Sequence, residues 1–84
     1  MNYSNVKVYA TRTCPYCTMV TDFLSGKNVK FEKILVDQDQ VAARYIVDQT
    51  KQMGVPVTEI EYSDRKPEYI IGFNTPQLSY MLGI

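Results

Sequence analysis

Hydrophobic and polar positions alternate near the start of the chain and then change to a helical spacing. Val6, Val8 and Ala10 are separated by Lys7 and Tyr9, an alternation that predicts a short strand with one buried face. After a polar loop, apolar residues recur three and four positions apart, at Met19, Val20, Phe23 and Leu24. This spacing predicts a helix over residues 15–25, with those four side chains as its buried stripe and Gly26 as its left-handed cap.

A second strand and a second helix follow. Residues 31–36 are rich in apolar side chains, and Ile34-Leu35-Val36 has no polar position, as is typical of a central parallel strand buried on both faces. Strand, helix and strand of these lengths predict one right-handed βαβ unit. The acids of residues 37–39 supply the cap of a helix over residues 39–52, which Gly54 ends. The apolar stripe of this helix is predicted to contain Val41, Ala42, Tyr45 and Ile46 and to extend to Met53.

The last third of the chain predicts a hairpin and a final helix. Residues 57–62 and 68–71 are predicted strands, close enough together to form an antiparallel hairpin around a polar turn. Thr75 stands before Pro76 as an N-cap stands before a first helical proline. The order βαβ-α-ββα predicts an α/β protein, with a four-stranded mixed sheet flanked by three helices on both faces. We expect a single domain over residues 1–84.

Composition and charge narrow the possible partners. Apolar residues make up 45% of the chain, and Lys plus Arg balance Asp plus Glu at nine each. With no net charge there is no basic field to attract nucleic acid or anionic lipid. The sequence carries no signal-peptide pattern and no apolar run of membrane-spanning length. We therefore expect a cytoplasmic monomer that binds neither nucleic acid nor membrane.

The two cysteines, Cys14 and Cys17, are the candidate chemistry of the chain. In a reducing compartment such a pair is more often catalytic or metal-binding than structural. The chain has no histidine, which excludes Cys-His catalysis and leaves no ordinary zinc site, so we expect no metal. Cys14 is predicted as the N-cap of the first helix, with Pro15 as its first residue. Unpaired N–H groups and the helix dipole favour a thiolate there, and Cys17, partly covered one turn later, lies within disulfide reach as the resolving thiol.

The motif Cys14-Pro15-Tyr16-Cys17, followed about forty residues later by Val55-Pro56, resembles the dithiol glutaredoxins over essentially the whole chain. The resemblance implies the thioredoxin fold, which the predicted element order matches. It also implies a cis peptide between Val55 and Pro56 beside the reactive sulfur, with the Val55 backbone free to pair with a substrate. Tyr16 would lie beside Cys14, whose sulfur the N–H groups of Tyr16 and Cys17 would stabilise.

The resemblance further implies the activity and its partners. Such a protein is a glutathione-dependent disulfide oxidoreductase that reduces protein disulfides and glutathione mixed disulfides. It has no tightly bound cofactor and uses glutathione as a reducing co-substrate.

Two stretches depart from the glutathione-using members. These usually carry a basic residue three positions before the first cysteine, whereas here Thr11 stands there and Arg12 follows. They also carry two glycines and an acidic pair, whereas here the matching stretch is Gly72-Phe73-Asn74-Thr75. We expect Arg12 and this stretch to form the glutathione site, with the start of the last helix binding a carboxylate through its N–H groups.

Two alternatives remain open. Glycine followed by phenylalanine is similar to the NrdH-type redoxins, which implies reduction by thioredoxin reductase and electron donation to ribonucleotide reductase. A different class would be a dimer that holds an iron–sulfur cluster through Cys14 and glutathione. Pro15 and Cys17 count against that class, and the visible absorbance of anaerobically purified protein would distinguish it.

Overall fold

The computed structural model describes residues 3–52 and 54–84 and has the predicted element order. The elements are β1 (Tyr3–Ala10), α1 (Pro15–Gly26), β2 (Glu32–Leu35), α2 (Gln40–Thr50), β3 (Val57–Tyr62), β4 (Glu68–Ile71) and α3 (Thr75–Leu82). In the part of the chain that the structure describes, no helix is both long and apolar enough to cross a membrane.

The four strands form one mixed sheet in the order β2-β1-β3-β4. β1 runs parallel to β2 and antiparallel to β3, and β3 and β4 form the predicted antiparallel hairpin. The prediction that residues 34–36 lie in a central strand is wrong. β1 and β3 are the two inner strands, because β3 adds to the other side of β1, and this leaves β2 at the edge, with Ile34, Leu35 and Val36 only half-buried.

Each face of the sheet has its own core, so helices cover both faces as predicted. The larger core joins α1 and α3 to one face and is formed by Val6, Val8, Val20, Leu24, Val29, Ile60, Ile70, Leu78 and Leu82. The smaller core joins α2 to the other face and contains Tyr9, Ile46 and Val57, with Tyr45 and Tyr69 partly buried against them.

Two residues predicted to be buried are instead exposed. Met19 is 42% exposed and Val41 is 81% exposed. Successive helical residues are about 100° apart around the axis. The buried residues of α1 are Cys17, Val20, Thr21 and Leu24, and Met19 lies about 150° from the centre of that stripe. Val41 lies about 95° from the centre of the stripe of Ala42, Tyr45 and Ile46.

The helix ends differ from the prediction in their caps. The left-handed residues after α1 and α2 are Asn28 (φ 60°) and Lys51 (φ 63°). Gly26 is instead the last residue of α1, and α2 ends before Gly54 is reached. The predicted extension of the α2 stripe to Met53 lies outside the described residues.

The N-cap of α3 is Asn74 rather than Thr75. The Asn74 side-chain oxygen accepts a hydrogen bond from Gln77 N–H at 3.2 Å. Thr75 is therefore the first residue of α3 and Pro76 the second, a shift of one residue from the prediction. Asn is as good an N-cap as Thr or better, which explains why the helix begins one residue earlier.

Candidate active site

Cys14 lies at the start of α1, where the sequence places it. Its backbone is extended (φ −101°, ψ 108°), and Pro15 begins the helix. The Cys14 sulfur accepts a hydrogen bond from the Cys17 N–H at 3.1 Å. The backbone N–H groups of Tyr16 and Cys17 were the two predicted donors, and the structure shows the hydrogen bond from Cys17. A donor at a helix start stabilises negative charge on the sulfur once the thiol is free.

The two sulfurs differ in access. Cys14 is half-buried, whereas Cys17 is 1% exposed and faces the core beneath α1. Cys17 is thus more deeply covered than the predicted partial burial. The pair forms a disulfide, with the two Cα atoms 5.2 Å apart. An incoming group can therefore approach the Cys14 sulfur but not the Cys17 sulfur.

Sheet topology brings the other predicted site residues to the same end of the molecule. Tyr9 pairs with Val57, so Val55 and Pro56 precede β3 at the end where β1 leads to Cys14. Ile71 pairs with Val57 in turn, so residues 72–75 follow β4 at that end as well. The cysteines, the Val55–Pro56 peptide and the start of α3 are therefore neighbours in space.

The Val55–Pro56 peptide is cis, as the resemblance implies. Pro56 is buried and Val55 is half-buried. The Pro56 carbonyl accepts a hydrogen bond from the Gly72 N–H at 2.9 Å. Gly72 has φ +79°, a left-handed conformation that glycine adopts without steric cost. This bond fixes the loop before β3 to the loop after β4.

Arg12 is paired within the protein. Its Nε lies 3.1 Å from a carboxylate oxygen of Asp37, and the same oxygen accepts the Arg12 backbone N–H at 3.4 Å. The hydrogen bond from Arg12 lowers the pKa of Asp37 below its usual range. Asp37 was not among the predicted site residues. Because β1 and β2 are parallel, the residues that follow them meet at one sheet edge, and that pattern could have indicated the pair.

The loop before α3 presents an aromatic ring rather than a carboxylate. Phe73 is 37% exposed, and its ring meets the Phe23 ring edge-on, with centroids 6.4 Å apart. Within the described residues 54–84, the first turn of α3 carries no acidic residue. Asn74 is exposed and Thr75 is half-buried. The side chains that this loop offers at the start of α3 are therefore aromatic and neutral polar groups.

A second cluster of polar side chains lies under α2, and the sequence analysis did not find it. Glu59 is 1% exposed, and its carboxylate accepts hydrogen bonds from Tyr9 at 2.7 Å, from Tyr69 at 3.1 Å and from Tyr45. Tyr45 and Tyr69 also share a hydrogen bond of 2.7 Å. Burial, and then hydrogen bonding, raise the pKa values of Tyr9 and Tyr69 well above the ordinary value. The alternation that places Glu59 on the same strand face as buried Val57 was the available signal.

Comparison with known proteins gives a consistent family. The family model described as Glutaredoxin matches residues 6–62. A glutaredoxin-like 8.6 kDa protein in the rubredoxin operon of Clostridium pasteurianum is 31% identical over 77 residues, covering 92% of this chain and 96% of that protein. Mycoredoxin 1 of Corynebacterium glutamicum is 36% identical over 61 residues, 73% of each chain.

Solved structures agree in fold. The thioredoxin-like protein BC3987 has a TM-score of 0.79 at 26% identity, covering 92% of this chain and 99% of that one. The glutaredoxin of Archaeoglobus fulgidus has a TM-score of 0.78 at 24% identity, covering 94% and 86%. The four-stranded mixed sheet with three helices is the thioredoxin fold of these structures.

Proposed function

Because the chain belongs to the glutaredoxin family of thiol–disulfide oxidoreductases, we propose that it reduces disulfides by a dithiol mechanism through Cys14 and Cys17. Its substrates are protein disulfides and glutathione mixed disulfides in the cytoplasm. The difference in access between the two sulfurs, with Cys14 half-buried and Cys17 fully covered, carries this proposal.

The reaction has two displacement steps. The Cys14 thiolate attacks one sulfur of the substrate disulfide, and the other substrate sulfur leaves as a thiolate with the electron pair of the broken bond. The Cys17 thiolate then attacks Cys14, releases the second substrate thiolate and leaves a Cys14–Cys17 disulfide. Two electrons pass from the protein to the substrate, and an external thiol or a reductase must return them.

The helix start replaces a catalytic base in this mechanism. The chain contains no histidine, so no imidazole can take the thiol proton. The N–H of Cys17 already donates to the Cys14 sulfur, and the same bond strengthens when the sulfur is negative. The thiolate is thus favoured by fixed dipoles, which need not move during the reaction.

The Val55–Pro56 loop would align the substrate. Its hydrogen bond from Gly72 uses the Pro56 carbonyl, which leaves the half-buried Val55 backbone as the group for a substrate to pair with. An extended substrate segment can add there as a short strand, which holds its disulfide beside Cys14.

Glutathione is the first candidate for the electron donor. Its glycine carboxylate would meet Arg12, its cysteine moiety would pair with Val55, and its γ-glutamyl end would lie near Gly72, Phe73, Asn74 and Thr75. Pro15 and Tyr16 would flank its sulfur. A carboxylate that approaches Arg12 must share the guanidinium with Asp37, since the Arg12 Nε lies 3.1 Å from the Asp37 Oδ2.

The same observations favour a second candidate donor. Arg12 is paired with Asp37, and within residues 54–84 the first turn of α3 offers no carboxylate to an ammonium group. Both features weaken binding of a charged tripeptide. The second candidate donor is therefore thioredoxin reductase. In that case the protein is an NrdH-like redoxin that donates electrons to ribonucleotide reductase.

One experiment separates the two donors. The oxidised protein and an excess of a protein disulfide substrate are supplied either with glutathione, glutathione reductase and NADPH, or with thioredoxin reductase and NADPH, and NADPH consumption above that without the protein is followed. Turnover with the glutathione system supports the first candidate, and turnover with thioredoxin reductase alone supports the second. If neither donor system nor dithiothreitol yields a protein that reduces a disulfide substrate, the dithiol proposal fails.

A further inference from the structure

One side of α1 is apolar and uncovered from the disulfide to the start of α3. Tyr16 is 61% exposed and Met19 is 42% exposed, and Phe23 is half-buried. These residues are three and four positions apart, so their side chains are neighbours on one helix face. Phe23 meets Phe73 edge-on at 6.4 Å, and Phe73 continues the surface onto the next loop. We call Tyr16, Met19, Phe23 and Phe73 the apolar strip.

The apolar strip begins beside the reaction point. Tyr16 is two residues after Cys14 in the chain and is exposed, so it is the member of the apolar strip nearest in sequence to the reacting sulfur. From Tyr16 to Phe23 the helix rises about 10 Å, which is the length of about three residues of extended chain. Lys27, whose Nζ lies 6.0 Å from the centre of the Phe23 ring, marks the far end.

The four side chains carry no formal charge, and their position fits one kind of occupant. Exposed apolar surface of this kind is stabilised by covering it with apolar groups and gains nothing from carboxylates. Arg12, the cation at the cysteine end of the apolar strip, is already paired with Asp37, and Lys27 lies at the far end, over the Phe23 ring. We infer that the apolar strip selects protein disulfides whose cysteine has bulky apolar neighbours, with Met19 as a specificity-determining residue. This inference rests on the proposed function and deepens it, because it names the substrate class.

The chemistry of a direct test is a single turnover. Short peptides are prepared with one cysteine that is joined by a disulfide to 2-nitro-5-thiobenzoate and flanked by phenylalanine, serine or aspartate. The Cys14 thiolate bonds to the peptide sulfur, and the coloured nitrothiobenzoate leaves as a thiolate. The Cys17 thiolate then displaces the peptide thiolate and leaves the Cys14–Cys17 disulfide. Because the protein is reduced beforehand, the rate is independent of its physiological donor.

We expect reduced wild-type protein to react about tenfold faster with the phenylalanine peptide than with the serine peptide, and slowest with the aspartate peptide. A tenfold ratio of rates corresponds to the free energy gained when one bulky apolar side chain is partly buried. Met19→Lys should lower the phenylalanine-to-serine ratio to below about threefold. Val41→Lys is the matched control. It places the same charge on another exposed apolar position, 81% exposed on α2, and should keep the wild-type ratio.

The outcomes are distinct. Equal rates for the three peptides in the wild type, or an equal loss of preference in Met19→Lys and Val41→Lys, would overturn the inference while leaving the proposed function intact. If the wild type releases nitrothiobenzoate no faster than a Cys14→Ser variant with any peptide, the proposed function itself fails. Should Met19→Lys unfold, Met19→Gln carries the same expectation without a charge.

Discussion

At the scale of single residues, Cys14 and Cys17 differ in both access and partners. Cys14 is half-buried and accepts the Cys17 N–H, whereas Cys17 is buried beneath α1. We expect Cys14→Ser to abolish all disulfide reduction, since no other accessible sulfur can attack. Cys17→Ser should keep part of the turnover of glutathione mixed disulfides, because external glutathione can resolve the intermediate. A coupled assay with a glutathionylated peptide measures both, and equal losses in the two variants would contradict the assignment.

Thr58 is a residue whose buried hydroxyl group has no partner. In the described residues its Oγ1 makes no hydrogen bond, and its side chain is fully buried between β1 and β4. A buried unsatisfied hydroxyl costs about 1–3 kcal/mol. We therefore expect Thr58→Val to raise the free energy of unfolding by about 1 kcal/mol, as measured by urea denaturation.

Thr21 provides the matched control for that substitution. It is nearly buried on the same side of the sheet, but its hydroxyl donates to the Thr18 carbonyl at 3.0 Å. Thr21→Val should therefore lower the free energy of unfolding by about 1 kcal/mol, the worth of one hydrogen bond. If both substitutions destabilise the protein alike, the Thr58 hydroxyl has a partner in solution.

At the scale of elements, the start of α3 is the place where the γ-glutamyl end of glutathione is proposed to bind. Thr75 is its first residue, and Asn74 keeps the cap, so a change at Thr75 leaves the helix start intact. Thr75→Asp would add a carboxylate that can pair with the ammonium group of glutathione. A negative charge in the first turn also interacts favourably with the helix dipole. We expect the Michaelis constant for glutathione to fall by about tenfold or more, with little change in the rate of attack by Cys14.

Thr75→Asn is the isosteric control for the carboxylate, and it should leave that Michaelis constant near the wild-type value. If Thr75→Asp has no effect on glutathione kinetics while thioredoxin reductase reduces the wild type efficiently, glutathione is not the donor. The NrdH-like candidate should then replace it.

The packing of α2 on the sheet should weaken in alkali. Burial and hydrogen bonds to Glu59 or Tyr45 raise the pKa values of Tyr9 and Tyr69 in the folded chain. Unfolded tyrosines lose their protons near pH 10, so above that pH the folded state holds more protons than the unfolded one. The contribution of these tyrosines to stability is therefore fully present below about pH 10 and is lost as the pH rises above it. For each tyrosine, the folding equilibrium constant falls by at most about tenfold per pH unit.

Urea denaturation at a series of alkaline pH values, with phenolate absorbance recorded in parallel, measures this effect. Tyr9→Phe should show a shallower fall of stability with pH than the wild type. Tyr80→Phe, which changes a ring that is 83% exposed, should keep the wild-type slope. The same slope in Tyr9→Phe and in the wild type would contradict the role of the Glu59 cluster.

At the scale of the whole molecule, local patterns predicted the elements but not all of their neighbours. The change from alternation to helical spacing near Cys14 predicted α1 and the part of β1 over residues 6–10, whereas β1 begins at Tyr3, and the hairpin residues 57–62 and 68–71 were correct to the residue. The position of β2 at the edge could not be predicted from the sequence. It depends on which side of β1 the distant β3 joins, and an apolar run reads alike in a central strand and in a half-covered edge.

The candidate site likewise has some features that could be predicted from the sequence and others that could not. The Cys14 cap was predicted from the local pattern, and the cis peptide was implied by the family resemblance; both are present. The Arg12–Asp37 pair joins residues 25 positions apart, and the Glu59 cluster joins four elements, β1, α2, β3 and β4, so both depend on register and packing. Contacts of that kind are decided by tertiary structure rather than by local sequence.

The edge position of β2 also bears on how the protein behaves at high concentration. An open strand edge can add a strand from a second molecule and so begin aggregation. The chain has a formal net charge of zero and a pI near 6.1, so molecules do not repel one another at long range. The exposed charged side chains of Glu32 and Lys33 are then the local feature that hinders pairing of this edge with a strand of another molecule. We expect Lys33→Val at its own pI to precipitate at lower concentration than the wild type at its pI, as measured by light scattering. If Lys33→Val and the wild type are equally soluble, protection against aggregation comes from other residues on the surface. Colloidal stability would thus depend on two side chains of a four-residue strand.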